Sequence, residues 1–384
     1  MAAERTGLRV LMTADTIGGV WPFAMELCAQ LAQRGDRVLL AATGREPDAE
    51  QRAQAAAIDG VELHARPYRL AWMQDPWDDL EAAGQWLREL SRRFAPDVVH
   101  LNDLAHGGLP WPAPVLMTAH SCVCTWWQAV HGTRAPEEWD RYRAHVAANL
   151  HAVDRVVAPT RAMLEALVRE HGAVRASEVI HNGREALAMA DIAKEPFVLG
   201  AGRLWDRAKN LAMLDAVATR LPWPVYLAGD ARHPDGHATV LAGASLLGPL
   251  ANAELRAWMA RAAIYALPAR YEPFGLSALE AAQAGCALVL GDIPSLREVW
   301  GSAALFVDPA DEDALAATLD RLIGDRGLRR RMAQRAQTRA KRYMPVSMAL
   351  RYRKAYLDLV AQQQSLDSRE RQLQATGPIE RMHA

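Results

Sequence analysis

An α/β protein built from two doubly wound parallel-sheet domains is the architecture this sequence predicts. Three observations carry that expectation. The chain has 384 residues, too many for one ordinary core, so two domains of about 150–200 residues are expected. Short apolar runs alternate with segments of helical period in both halves. That alternation stops at Glu185–Pro196 and then restarts. Near-continuous apolar strands between amphipathic helices mark a parallel sheet buried on both faces.

In order along the chain, Leu8–Thr13 reads as a strand, and Gly18-Gly19 opens an amphipathic helix to about Arg34. Arg37–Ala42 is a strand and Val61–His64 a weaker one. Pro76–Phe94 has helical period, Asp97–Leu101 and Pro114–Ala119 are strands, and Pro136–Ala152 is helical. Asp154–Ala158 and Glu178–His181 are strands around a helix at Arg161–His171. Residues 1–184 therefore form a first domain, and 185–196, which lack a strand and end in proline, form a linker. The second domain, 197–345, repeats the rhythm. Its strands are Phe197–Ala201, Val225–Ala228, Ala263–Leu267, Ala287–Leu290 and Ala304–Val307. Its helices start near Asn210 and Asn252, with more from Asp311 to about Arg342. Pro345 starts a last helix whose Met348, Tyr352, Tyr356 and Leu359 would pack it back on the first domain over 346–362. The polar residues 363–384, with Gly377-Pro378, are expected to be disordered. No short repeat is present.

The totals exclude several classes. Apolar residues make up 51% and charged residues 23%, and the net charge is −1, which offers no global attraction for nucleic acid. No stretch approaches the ~20 apolar residues of a membrane span, and the N-terminus has no apolar signal core. The four cysteines, Cys28, Cys122, Cys124 and Cys286, suit a reducing compartment, so a cytoplasmic protein is expected, with peripheral membrane contact left open. Cys122-Val-Cys124 is too tight for the usual zinc spacing and lacks a second pair.

Chemistry concentrates at 269–285. After an apolar strand, Pro273 and Gly275 break the backbone, and Ser277–Ala284 is a strong helix former with Gly285 as its stop. Such a turn aims backbone N–H groups and a helix dipole at an anion. Glu272 and Glu280 flank it. As a hydrolytic pair they are too far apart: eight residues give roughly 12 Å in a helix, against the ~5–9.5 Å that paired carboxylates need. They suit two parts of one long ligand. Gly200-Ala-Gly-Arg-Leu-Trp-Asp-Arg-Ala-Lys-Asn ends a strand in a glycine-rich turn and carries Arg203 and Lys209, cations fit to meet a departing diphosphate. It lacks the third glycine of a dinucleotide fingerprint. Gly18-Gly19 permits close backbone approach to a ligand. His120 ends an apolar strand facing the cleft between the domains, the default ligand site. Trp126 and Trp127 offer aromatic faces to a sugar or to a core.

Glu272-Pro-Phe-Gly-Leu-Ser-Ala-Leu-Glu280 resembles the E-x7-E signature of the family 4 (group 1) retaining glycosyltransferases, and residues 8–362 follow that family's order of elements. The resemblance implies the two-domain GT-B fold and a nucleoside-diphosphate sugar donor, with no metal and no cofactor. It implies that Glu272 and the Phe274, Gly275 and Leu276 amides hold the sugar and Glu280 the ribose. Arg203 and Lys209 match the family's G-R…K pair for the donor phosphates, with one extra residue between them. Gly18-Gly19 would lie near the phosphate and acceptor, and His120 would bond the sugar near its C6 hydroxyl. Leu247–Leu250 matches a loop whose backbone meets the base, Pro294–Glu298 matches a segment near the donor, and Arg184-Glu185 departs from the family's Asn-Gly-Val-Asp. The resemblance thus implies hexose transfer from the donor to a hydroxyl of a saccharide or other glycan-pathway acceptor, as in polysaccharide biosynthesis. A sugar-nucleotide epimerase and a catalytically silent sugar-nucleotide-binding protein are the rival expectations. Base, sugar, acceptor and oligomeric state are not legible in these residues.

Overall fold

The computed structural model describes residues 7–186, 192–232 and 239–375. Two parallel sheets organise it. The first holds β1 (Arg9–Asp15), β2 (Arg37–Thr43), β3 (Val61–Ala65), β4 (Val98–Leu101), β5 (Val115–Thr118), β6 (Arg155–Ala158) and β7 (Ser177–Val179). Their order across the sheet is β3-β2-β1-β4-β5-β6-β7. The second holds β8 (Glu195–Ala201), β9 (Val225–Ala228), β10 (Ser245–Gly248), β11 (Ala262–Leu267), β12 (Ala287–Gly291) and β13 (Leu305–Val307), ordered β10-β9-β8-β11-β12-β13. Every pairing is parallel. The central strands are apolar on both faces because helices cover both. All six residues of β11 and all five of β12 are buried.

In each sheet the strand order reverses beside the first strand, between β1 and β4 and between β8 and β11. The crevice above such a switch point is where ligands bind doubly wound sheets. Asp15 ends β1, and Asn102 and Asp103 follow β4. Arg203 follows β8, and Ala269–Glu272 follow β11. The first sheet's helices are α1 (Val20–Ala32), α2 (Ala49–Ala56), α3 (Trp77–Phe94), α4 (Val123–His131), α5 (Asp140–Ala152) and α6 (Arg161–His171). In the second region α7 (Leu211–Ala218), α8 (Asn252–Arg261), α9 (Leu276–Gln283), α10 (Pro294–Trp300), α11 (Glu312–Gly324) and α12 (Arg326–Ala340) follow. The last helix, α13 (Pro345–Ala375), packs on α1. Its Met348, Tyr352, Tyr356 and Leu359 are buried in one cluster with Phe23, Leu27 and Leu31 of α1.

Three expectations need correction. The polar residues 363–384 are not all disordered, because α13 continues to Ala375. The segment contains good helix formers and meets no Gly or Pro before Gly377. Pairs four residues apart, Lys354–Asp358 and Gln363–Asp367, brace the helix. Residues 376–384 lie outside the described residues, as does part of the expected linker, 187–191. Second, β8 begins at Glu195, two residues before Phe197, because Glu195 is fixed by the Arg261 guanidinium at 2.7 Å. Third, Leu247-Gly248 belong to the edge strand β10 and not to a loop. The helices α2, of eight residues, and α4, of nine, are too short to announce a period.

Candidate active site

The turn between β11 and α9 is built by its glycine and its glutamate. Gly275 has φ +91° and forms the N-cap of α9, a left-handed conformation that suits glycine. The Glu272 side chain folds back so that Oε1 accepts from the Gly275 N–H at 2.9 Å and, more weakly, from Phe274 N–H at 3.4 Å. Its other oxygen meets Lys209 Nζ at 2.5 Å. Ser295 Oγ donates to the Glu272 carbonyl at 2.6 Å. A carboxylate thus occupies the place where two amides and an ammonium converge. The turn is an anion-binding nest, and here its occupant is its own glutamate.

Arg203 lies in the turn after β8. It is half exposed and held by Asp206, with Nη2 at 2.6 Å from Oδ2. Burial favours protonation of Asp206, but Arg203 and Lys209 outweigh it and hold the carboxyl below its usual range. Asp206 also accepts from the Trp126 indole at 3.2 Å, so one of the two tryptophans spans the cleft.

Gly18-Gly19 close the other side. Gly18 has φ +143°, and a Cβ placed on it would come 3.6 Å from Arg203 Nη1. A Cβ on Gly19 would come 3.7 Å from Leu276 Cδ1. Larger residues would close that gap. The glycine loop, the cation turn and the start of α9 therefore face one another across the cleft.

His120 follows β5. Its Nε2 is 2.8 Å from Asn102 Oδ1, and its ring packs edge-on against Phe23 with centroids 4.5 Å apart. Burial pushes its pKa down to about 3, so it stands neutral. It lines a cavity of about 100 Å³ with Asp15, Arg69, Trp72, Asn102, Asp103 and His106, among others. Burial pushes the Asp15 carboxyl up, with the Ile17 N–H and Arg203 opposing. Burial opposes the charge on His106, but the Asp103 carboxylate at 2.9 Å outweighs it and holds the imidazole above its usual value.

Glu280 sits apart from Glu272, on α9, and is already engaged. Arg184 Nε lies 2.6 Å from its Oε1, and Arg256 Nη2 lies 3.3 Å away. Arg184 also bonds Glu26 of α1 at 3.1 Å. This buried cluster links α1, the end of the first domain and α9. Glu298 on α10 reaches across to the first domain. Its carboxylate caps α6, accepting from the Arg161 and Ala162 N–H groups at 2.9 and 3.0 Å. Asn182 is buried, with its side-chain oxygen unpartnered among the described residues. The sequence did not single out Arg184, Arg256, Asp206 or Asn102. Of these, only the departure at Arg184 left a visible signal.

With this geometry in place, residues 17–186 match the family Glycosyltransferase Family 4, and residues 237–339 match Glycosyl transferases group 1. The chain belongs to the group 1, family 4 glycosyltransferases. Glycogen synthase of Mycobacterium tuberculosis (strain H37Rv) is 27% identical, with 86% of this chain and 90% of the relative covered. A D-inositol 3-phosphate glycosyltransferase of Kineococcus radiotolerans is also 27% identical, over 84% and 86%. Among solved structures, sucrose-phosphate synthase from Thermosynechococcus elongatus superposes with TM-score 0.74 at 18% identity, covering 92% of this glycosyltransferase and 99% of that chain. The Anabaena protein Alr3699/HepE with UDP-glucose gives TM-score 0.71 at 17% identity, over 92% and 100%. These likenesses establish the fold as GT-B. Among the described residues, no helix is long and apolar enough to cross a membrane.

Proposed function

We propose that this glycosyltransferase moves a hexose from a nucleoside-diphosphate sugar to a hydroxyl of a saccharide-type acceptor, with retention and without a catalytic metal. The observation that carries the proposal is the convergence of Arg203, Lys209, Glu272 and the Gly18-Gly19 loop on one gap between the two switch points. The Anabaena neighbour whose structure holds UDP-glucose supports a donor of that class.

In the proposed cycle the donor displaces the internal contacts. The diphosphate takes Lys209 from Glu272 and takes Arg203 from Asp206, two cations that meet its growing negative charge. Glu272 and the Phe274, Gly275 and Leu276 amides then turn to the sugar hydroxyls, and Glu280 takes the ribose hydroxyls. Neutral His120, oriented by Asn102, bonds the sugar without adding charge beside the reacting carbon. The acceptor approaches through the cavity beside His120. Its hydroxyl oxygen bonds to the anomeric carbon on the face that the phosphate oxygen leaves, and its proton passes to that oxygen. Positioning and electrostatics supply the rate.

Thermal-shift screening against a panel of nucleotide sugars identifies the donor. NMR of the product anomer then tests the stereochemistry. An inverted product sinks the retaining mechanism, and loss of activity in chelator restored by Mg²⁺ sinks metal independence. Epimerised free donor, or binding without turnover, favours the rival readings. Lys209→Met should lower kcat/KM by roughly 100-fold or more, as loss of a donor to a developing charge does.

A further inference from the structure

Behind the active-site wall lies a cluster that the transfer reaction leaves unused. Cys122 and Cys124 bracket the start of α4, and His171 ends α6. One donor atom from each lies within 4.8 Å of the other two, and all three residues are buried. Cys122 Sγ is 3.2 Å from His171 Nε2. We propose that Cys122, Cys124 and His171 bind a structural thiophilic metal ion of the Zn²⁺ type.

The one-residue spacing of the two cysteines would fail inside a helix, where positions two apart face different ways. Here Cys122 is the N-cap of α4 with extended backbone, φ −145° and ψ 136°, which turns its sulfur back beside that of Cys124. The imidazole comes from 47 residues further along the chain, where no linear spacing rule would find it. A tetrahedral zinc with Zn–S of about 2.3 Å and Zn–N of about 2.0 Å needs S···S near 3.8 Å and S···N near 3.5 Å. The cluster meets those edges with small side-chain adjustments. Two thiolates and a dication sum to zero, which suits a buried site. Tyr142 forms the adjoining wall. Its hydroxyl accepts from Val123 N–H at 3.2 Å, and its ring lines the cavity beside His120, so a hydroxyl or a water entering from the cavity can fill the fourth position.

The other two thiols are different. Burial alone pushes Cys28 up to about 12. It also pushes Cys286 up, to about 11, against Lys194. Cys122 and Cys124 instead have an imidazole nitrogen within reach of their sulfurs. The His171 Nδ1 is buried with no partner among the described residues, so nothing but the Cys122 sulfur anchors that ring by a polar contact.

The metal would stiffen the active-site wall and take no part in transfer. Cys122 N–H donates to the Tyr271 hydroxyl at 3.2 Å, and the Thr125 and Tyr271 hydroxyls are 2.9 Å apart. Tyr271 precedes Glu272. Fixing the start of α4 thus fixes one end of the donor turn.

The test is titration of the full, reduced chain with Co²⁺ and then Zn²⁺, with bound metal counted by mass spectrometry. Expected are about one equivalent per chain and a thiolate-to-cobalt charge-transfer band that Zn²⁺ abolishes. Cys124→Ser should weaken binding by more than about tenfold, while the Cys28→Ser, Cys286→Ser double variant should bind like the parent. X-ray absorption on the zinc-loaded parent needs no variant to fold, and should show two sulfurs and two lighter neighbours, the His171 nitrogen and one oxygen. Less than about a tenth of an equivalent in the reduced parent, a shell of oxygen and nitrogen alone, or equal loss in the Cys28/Cys286 variant overturns the proposal.

Discussion

At the scale of single residues, the site is a set of charges already satisfied by one another. Glu272 holds Lys209 and the turn amides, and Asp206 holds Arg203. Such pairing keeps buried charges compensated until a donor takes their place. His120 carries no charge to be compensated, and this has a measurable consequence. Its pKa is near 3 in the folded protein and near 6.5 when unfolded. Above about pH 6.5 neither state takes the proton, and the histidine leaves stability unchanged with pH. As the pH falls toward 3, the unfolded chain binds a proton that the folded chain refuses, and stability declines by up to about 1.4 kcal/mol per pH unit. Urea unfolding at about pH 7 and pH 5 should therefore show a shallower acid loss in His120→Gln than in the parent. Equal losses would mean that His120 takes up a proton in the folded state. The same scale shows what a sequence exposes. Glu272 and Glu280 stand out because a motif spaces them along the chain. Arg184 pairs with Glu280 across 96 residues, and no local pattern records that partnership.

Among the elements, α13 does the most to join chain ends to the site. Its apolar face was legible in the spacing of Met348, Tyr352, Tyr356 and Leu359. Its polar contacts were not, because they depend on what lies opposite. Tyr352 reaches Thr118 at the end of β5 at 3.2 Å, and Tyr356 reaches His100 Nδ1 on β4 at 2.7 Å. The other nitrogen of His100 meets Thr118 at 2.7 Å, so these rings form a hydrogen-bonded layer under His120. Removing one hydroxyl leaves a buried partner unsatisfied. Tyr356→Phe should cost about 1–3 kcal/mol in chemical denaturation, with the donor's thermal shift retained at its lower baseline. A cost near zero would show that another group or water can satisfy His100. Similar logic explains the missed strand β10. It is a half-exposed edge strand of four residues, held by pairing to β9 and not by apolar runs. The central strands, buried on both faces, are the plainest in the sequence, because there composition and burial say the same thing.

For the whole molecule the two sheets are read easily from rhythm, but the latch between them is not. Beyond the active-site contacts, Thr160 Oγ1 donates to the Pro273 carbonyl at 2.9 Å, and both Glu298 oxygens cap α6. Glu298 lies on α10, behind the donor turn, while α6 belongs to the first sheet. A carboxylate on two N–H groups at a helix N-terminus is a strong contact, assisted by charge and dipole. It favours the closed arrangement in which Gly18 and Arg203 face one another, before any donor arrives. A donor that needs both walls binds with an affinity scaled by the closed fraction. Glu298→Ala should therefore enlarge the radius of gyration of the donor-free chain in small-angle scattering. It should also weaken donor binding by up to roughly tenfold, the effect of about 1.4 kcal/mol taken from closure. At saturating donor, scattering and kcat should return toward the parent values, because the donor's own bridging contacts replace the lost cap. A chain that stays as compact as the parent and binds donor equally well would reduce Glu298 to an ordinary helix cap. Lowered kcat at saturation would instead place α10 among the parts that hold the donor turn in register during transfer.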